Sequence, residues 1–225
     1  MKKFVVFLNL LLICSFVSIS CVNEKGGYEN GHEYVDLGLS VKWATCNIGA
    51  DSAWNGGSYF EWGEVEPRLW GDSKENKYCE YGSDITKYCT IAKYGYNGLV
   101  DDKIILDAED DAATINWGGR WRMPTKEEFE ELCENCIFEL HELNGEVGYK
   151  VIGKNGNSIF LPMPNWVESE SVLEGFMDGS YWSSSLFISS PFQAYQMCLV
   201  ESEEYFVDLE AMPRHCPTFI RPVCP

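Results

Sequence analysis

The chain has 225 residues, is 45% hydrophobic and 23% charged, and carries a formal charge of −18 from 17 Lys and Arg against 35 Asp and Glu. That balance is globular and excludes a disordered tail, a collagen and a polytopic membrane protein. So acidic a surface repels a phosphate backbone, and nucleic acid is not an expected partner. Aromatic residues make up 14% of the chain, with 8 Trp and 12 Tyr, which suits either a core of large rings or a stacking surface.

Met1-Lys2-Lys3 followed by the apolar stretch Phe4 to Ile19 has the form of a secretory signal. It ends in Ser18-Ile19-Ser20-Cys21, which resembles the lipobox of a bacterial lipoprotein, with Cys21 as the lipid-bearing N-terminus. The expected organisation is a signal peptide over 1–20, a lipidated cysteine and tether over 21–32, and one domain over 33–225. The domain is expected to be exported and lipid-anchored at the bacterial outer membrane, exposed at the cell surface, meeting the membrane through its lipid only. Cleavage would remove Lys2 and Lys3 and no acid, so the mature domain is more acidic still and does not adhere to anionic lipid.

Tyr34 to Leu37, Val41 to Thr45 and Tyr59 to Trp62 predict three short strands. From Glu64 to Lys103 there is no clear periodicity, which predicts a long surface excursion of the kind that carries function. Asp107 is placed to cap a short helix over Ala108 to Ala113. Thr125-Lys126-Glu127-Glu128 is a capping box, and Phe129, Leu132, Cys133 and Cys136 at i, i+3, i+4 and i+7 predict a helix with one buried face. Tyr149 to Gly153 and Ser158 to Leu161 around Asn155-Gly156 predict a hairpin with a type I′ turn. Four further strands are predicted around 181–185, 194–199, 205–209 and 219–223.

Setting aside Cys14 and Cys21, the cysteines are Cys46, Cys79, Cys89, Cys133, Cys136, Cys198, Cys216 and Cys224, and in an exported chain they read as a partial or complete disulfide set. Cys79 and Cys89, each after Lys-Tyr, are the expected single pair. Cys133-x-x-Cys136 has no second ligand pair to complete a metal tetrahedron, even with His141 at the helix end. Asp107, Glu109, Asp110 and Asp111 lack the glycine and distal glutamate of a calcium loop, so helix-start acidity is the expected role. No nucleophile elbow, phosphate loop or zinc-protease motif is present, and His32, His141 and His215 are scattered. Ser183 to Ser185 are expected to be satisfied by backbone rather than to act as nucleophiles. No catalytic residue, metal or cofactor is expected.

Several stretches together, EYVDLGLSVKWATCNIGA (33–50), YFEWGE (59–64), EDDAATINWGGRWRMPTKEEFEELCENC (109–136), GKNGNSIFLP (153–162), YWSSS (181–185) and RPVCP (221–225), resemble the Fibrobacter succinogenes major paralogous domain family of exported proteins and lipoproteins. The resemblance implies an α+β architecture of C-type-lectin-like fold, with the first and last strands adjacent, one or two helices against the sheet and long loops on one face. It implies structural roles for Trp43, Trp117, Gly118, Gly119, Trp121, Arg122, Pro124, Thr125, Trp182, Ser183, Arg221, Pro222 and Val223. It does not imply calcium-dependent sugar binding, because Glu66-Pro67-Arg68 puts a cation where an amide oxygen would be needed.

The segment 187–218 departs most from that family, with Phe187, Ile188, Phe192, Cys198, His215 and Cys216 as its unusual members. Related lectin-like lipoproteins are displayed targets of diversity-generating retroelements, and such a history would account for these residues. The expected ligand surface is Phe187, Ile188, Phe192, Gln193, Glu201, Glu203, Tyr205, Asp208, Arg214 and His215, taking an unknown protein or glycan on a monomer. The competing expectations are a structural or adhesion subunit of the envelope, and an enzyme related to formylglycine-generating enzymes using Cys133/Cys136 or Cys198/Cys216.

Overall fold

The computed structural model describes residues 26–68, 76–79, 84–164, 179–199 and 207–225. Its strands are β1 (Gly26–Glu29), β2 (His32–Val35), β3 (Lys42–Ala44), β4 (Ile137–Leu143), β5 (Glu146–Ile152), β6 (Ser158–Pro162), β7 (Ser180–Leu186), β8 (Gln193–Leu199), β9 (Val207–Pro213) and β10 (Val223–Cys224). Its α-helices are α1 (Ala112–Trp117) and α2 (Lys126–Asn135), with single 3₁₀ turns at Ala92–Tyr94, Tyr96–Gly98 and Ala108–Asp110. The strands form three antiparallel sheets in the orders β1-β2-β3-β10, β4-β5-β6 and β7-β8-β9. The architecture is therefore α+β.

Asparagine–glycine pairs make two of the hairpins. A two-residue type I′ turn needs positive φ at both positions, which Asn tolerates and Gly prefers. Asn30-Gly31 (φ 44° and 85°) joins β1 to β2, and Asn144-Gly145 (55° and 89°) joins β4 to β5. Asn155-Gly156 does not behave this way: only Gly156 has positive φ, at 83°, and five residues separate the last paired positions, Ile152 and Ser158. Asn155 and Asn157 instead send their amides to the Asp36 carbonyl at 2.8 and 2.7 Å, so tertiary docking decides that turn.

Residues 26–32, within the stretch expected as a tether, form the first hairpin, and it packs against the segment that leads into α2. Trp121 donates its indole N–H to the Glu29 carbonyl at 2.7 Å, Arg120 pairs with the Glu29 carboxylate, and His32 stacks flat on Trp117 at 3.8 Å. Gly119, at φ 60°, lies where a Cβ would come within 2.7 Å of the Glu29 carboxylate and 2.8 Å of Asn30, so β1 approaches closely only because this position is bare. Cys21 lies outside the described residues.

α2 forms as its sequence predicts, with both halves of the Thr125/Glu128 capping box in place and Phe129 and Leu132 buried. The preceding helix starts later than predicted. Asp107 makes no cap bond; Asp111 does, accepting the Thr114 N–H at 2.9 Å through one oxygen and the Met123 N–H at 2.9 Å through the other. His141 is not at a helix end but on β4, because α2 stops at Cys136 and the Asn144-Gly145 turn folds the next seven residues onto β5.

The chain ends meet at β3 and β10, where Trp43 pairs with Val223 and Lys42 with Cys224. Arg122 extends this contact by exchanging both backbone hydrogen bonds with Val223, and Ala44 donates to the Pro222 carbonyl. Tyr59 to Trp62, expected as a strand, makes only isolated bridges, to Arg68 and Thr218. The last predicted strand shortens to two residues for a similar reason, since Phe219 crosses to a parallel bridge with Tyr181.

Two apolar clusters fill the interior. One gathers Trp62, Tyr88, Trp117, Trp121 and Trp182, and the other Trp43, Phe129, Leu132, Tyr149, Tyr181 and Phe219. Two more of the buried indoles donate to carbonyls, Trp182 at Phe60 and Trp62 at Ser183, both 2.9 Å, whereas the Trp43 N–H has no acceptor among the described residues. Ser183, Ser184 and Ser185 are likewise tied to backbone, at Tyr195, Pro124 and Lys126. Pro124 also takes the Ser184 N–H through its carbonyl, at 2.8 Å. These placements agree with core and turn roles for the tryptophans, glycines and serines.

Candidate functional site

Two stretches far apart in sequence, the excursion after Glu64 and the divergent segment after Leu186, are brought together. The hub is Arg214. It was expected at the rim of a ligand surface, but its residue is 0% exposed. Its guanidinium donates to the carbonyls of Lys87 and Tyr88 and lies 4.7 Å from the centre of the Trp62 ring, with Tyr88 at 5.9 Å. Burial pulls its pKa down to about 10. A guanidinium so enclosed cannot reach a ligand; it fastens one loop to the other.

Beneath the loop is a second knot. Asp110 is completely buried, and its carboxylate accepts from Lys77 Nζ at 2.9 Å, Tyr78 Oη at 2.5 Å, Lys87 Nζ at 2.6 Å and Tyr88 Oη at 2.7 Å. Burial alone would raise its pKa, but the bonds from Lys87, Tyr78, Tyr88 and Lys77 outweigh it and hold the carboxyl well below the usual range. Carboxylate oxygens of Asp107, Glu109 and Asp110 lie within 4.8 Å of one another, as metal ligands would. The Lys87 ammonium sits among them, at 2.7 Å from Asp107, 3.0 Å from Glu109 and 2.6 Å from Asp110. Burial opposes the charge on Lys87, but its three carboxylates prevail and its pKa rises. The acidic run thus holds an internal ammonium, and among its members only Asp111 caps a helix.

Above the knot the two loops form one face. Thr90 donates its hydroxyl to the Ile188 carbonyl at 2.9 Å, the Leu186 N–H bonds the Ile104 carbonyl at 2.8 Å, and Ile105 bridges Ser185. Tyr94 meets Phe192 edge to face at 4.8 Å, and Phe187 meets Tyr195 at 5.3 Å. Phe187 and Phe192 are therefore half-buried packing residues rather than free anchors. The exposed apolar members are Ile188 at 54%, Ile104 at 43%, Val100 at 42% and Ile105 at 40%, with Tyr96 in the same stretch at 55%.

Of the other residues expected here, Gln193 is half-buried and bonds the Ala211 carbonyl at 3.1 Å, Asp208 is exposed on β9, and His215 is exposed next to Arg214. Glu201, Glu203 and Tyr205 lie outside the described residues. Sequence reasoning missed Val100, Ile104 and Ile105, whose only signal was a short aliphatic run inside an otherwise polar excursion.

Four of the thiols lie in surroundings that disfavour the thiolate. Burial pushes Cys133 up to about 12 and Cys136, Cys198 and Cys216 up to about 11, the reverse of an activated thiolate. Burial raises Cys79 as well, against a smaller lowering by Arg214. Comparison with models of known protein families, with curated proteins and with solved structures finds no match to this chain.

Proposed function

We propose that this chain is an exported, lipid-anchored recognition protein of C-type-lectin-like fold, related to the Fibrobacter succinogenes major paralogous domains, that binds a protein ligand at its loop face and catalyses nothing. The leader and Cys21 support export and anchoring at the outer membrane. Paired N- and C-terminal strands, a helix entered through Trp121-Arg122-Met123-Pro124, and a loop layer lying over them support the fold. The raised thiol pKa values speak against a cysteine-based enzyme.

One observation carries the reading. Residues 90–105 and 187–192, separated in sequence by the whole helix and hairpin region, are hydrogen-bonded into one face that leaves Ile188, Ile104, Ile105 and Val100 exposed. Branched aliphatics in water are worth burying, and they match a protein surface better than the hydroxyl-covered face of a glycan. With a net charge of −18 the partner is a basic protein, and association slows as salt rises. Retroelement diversification of 187–218 would vary half of this face, Arg214 included, while the Asp110 knot lies outside the varied segment.

The test uses the full chain, expressed with its own leader, against glycan arrays and panels of cell-surface proteins, with and without calcium. Ile188→Ser and Ile104→Ser should abolish capture of a basic protein without moving the melting temperature. Binding that survives both changes would overturn the assignment of the face. A second reading, an envelope subunit, is favoured by β4, an edge strand that leaves Ile137 and Leu140 exposed; it predicts self-association lost on Leu140→Lys.

A further inference from the structure

We infer that a cleft beside Trp54, sharing no residue with the loop face, binds a saccharide ring that is neutral or carries an amine. The cleft is a shallow depression open to solvent, about 600 Å³ in volume, lined by Asp51, Ser52, Trp54, Asn55, Gly56, Glu146 and Pro164.

The platform is rigid because it is tied to the core. Arg221 donates to Asn47 Oδ1 at 2.7 Å, and Asn47 passes its amide to the Gly56 carbonyl at 2.9 Å. Ser58 N–H returns to the Ile48 carbonyl at 2.8 Å, and Gly57 N–H bonds Asn55 Oδ1 at 2.9 Å. Gly56 lies so close to Phe219 and Pro164 that a Cβ there would meet them at 2.8 and 3.1 Å, so this part of the wall packs directly on the core ring of Phe219. The opposite wall is also held: Glu146 follows the type I′ turn directly, and Met163 N–H bonds the Val147 carbonyl at 2.8 Å. A site fixed before its ligand arrives loses little entropy on binding.

Three groups on this platform have no use within the described fold. Trp43, Trp62, Trp117, Trp121 and Trp182 are buried, whereas Trp54 is 37% exposed and has no bonding partner among the described residues. The Glu146 carboxylate likewise has no partner there. Asp51 accepts from Ser52 at 3.1 Å and Asn55 at 3.4 Å, both through Oδ1, leaving Oδ2 without a donor. A flat, partly wet indole beside two carboxylates with unused acceptor capacity matches one chemistry: the C–H face of a pyranose lies on the ring while its hydroxyls donate to the carboxylates. The same two charges repel uronic acids, sialic acids and sulfated or phosphorylated sugars, and attract a hexosamine.

The test is saturation-transfer NMR on the full chain with methyl glycosides of glucose, galactose, mannose and glucosamine, followed by their oligosaccharides, with glucuronate as the negative control. Saturation transfer to at least one neutral or amino sugar is expected, with little to glucuronate. Trp54→Ala should weaken binding by about tenfold or more, as for an interface anchor. Glu146→Gln should weaken a glucosamine ligand more than its neutral counterpart, and it changes an exposed side chain that folding does not need. Ile188→Ser should leave sugar binding intact, which separates this site from the loop face. No transfer to any of these sugars, equal binding of glucuronate, or binding unaffected by Trp54→Ala and Glu146→Gln would overturn the inference.

Discussion

Arg221 and Arg214 are both fully buried, and both take carbonyl oxygens instead of a carboxylate as partners. Arg221 uses its whole fork: Nε to Asn47, Nη1 to Ala44 and Thr45, and Nη2 to Phe160, at 2.7 to 3.0 Å. It joins the first sheet, the β6 strand and the closing segment of the chain. Arg214 uses two carbonyls and two aromatic faces, and its Nε has no partner. The difference separates a buried cation whose three nitrogens all find acceptors from one held with a nitrogen left over.

The largest effect should come from removing the matched cation. Arg221→Met leaves four buried acceptors unbonded and should cost about 3–5 kcal/mol, read from denaturant midpoints. Arg214→Met orphans fewer carbonyls, removes a bare donor and offers the same aromatic box a thioether, so about 1–3 kcal/mol is expected. Equal losses would break the comparison. A larger loss at Arg214 would make the loop layer the true keystone.

The Asp110 knot gives the next effect and a pH signature. Its carboxyl is held below its ordinary pKa, so the stability it contributes is full above about pH 4 and is lost as pH falls below that value. Lys87 is shifted the other way; its contribution is full below about pH 10 and is lost as pH rises through the higher folded value. Asp110→Asn should cost about 2–4 kcal/mol at pH 7 and flatten the acid limb of the stability curve. Lys87→Met empties the centre of three carboxylates, and a calcium-dependent rise in melting temperature should appear in that variant alone. An unmodified chain whose melting temperature rises equally with calcium would show that the ammonium does not fill the place of a cation.

The frame was far more legible in sequence than the loop layer, for physical reasons. Capping boxes, apolar periodicity and Trp-Gly clusters are local signals, and α2 with its Thr125/Glu128 box is where they say it should be. Thr125→Ala should cost about 1 kcal/mol, the usual value of a lost cap. Where a local signal competes with a tertiary contact it misleads. Asn155 points to a type I′ turn but serves the Asp36 carbonyl, and Asp107 suits a cap but holds Lys87 and Lys103. In the candidate site, Ile188 was legible as an apolar residue outside the core pattern, and its exposure agrees. Arg214 was not, because a charge in a polar segment gives no hint of the Trp62 and Tyr88 rings that enclose it. Val100, Ile104 and Ile105 were hidden because only the fold puts residue 104 beside residue 186.

The smallest stability effect should be the most informative about function. Ile188 makes its recorded bond through its backbone carbonyl, to Thr90, so Ile188→Ser removes exposed apolar surface without breaking a hydrogen bond. Its stability change should stay within about 0.5 kcal/mol of zero. Arg214→Met loosens the attachment of the same face from below without touching its surface. If the loop face recognises a protein, Ile188→Ser should raise the dissociation rate at unchanged stability, whereas Arg214→Met should lower stability first and weaken binding only as the face loosens. Equal loss of binding in both variants at temperatures where both are folded would mean that the rigidity of the layer matters as much as its exposed side chains. Loss in Arg214→Met alone would move recognition away from the aliphatic patch.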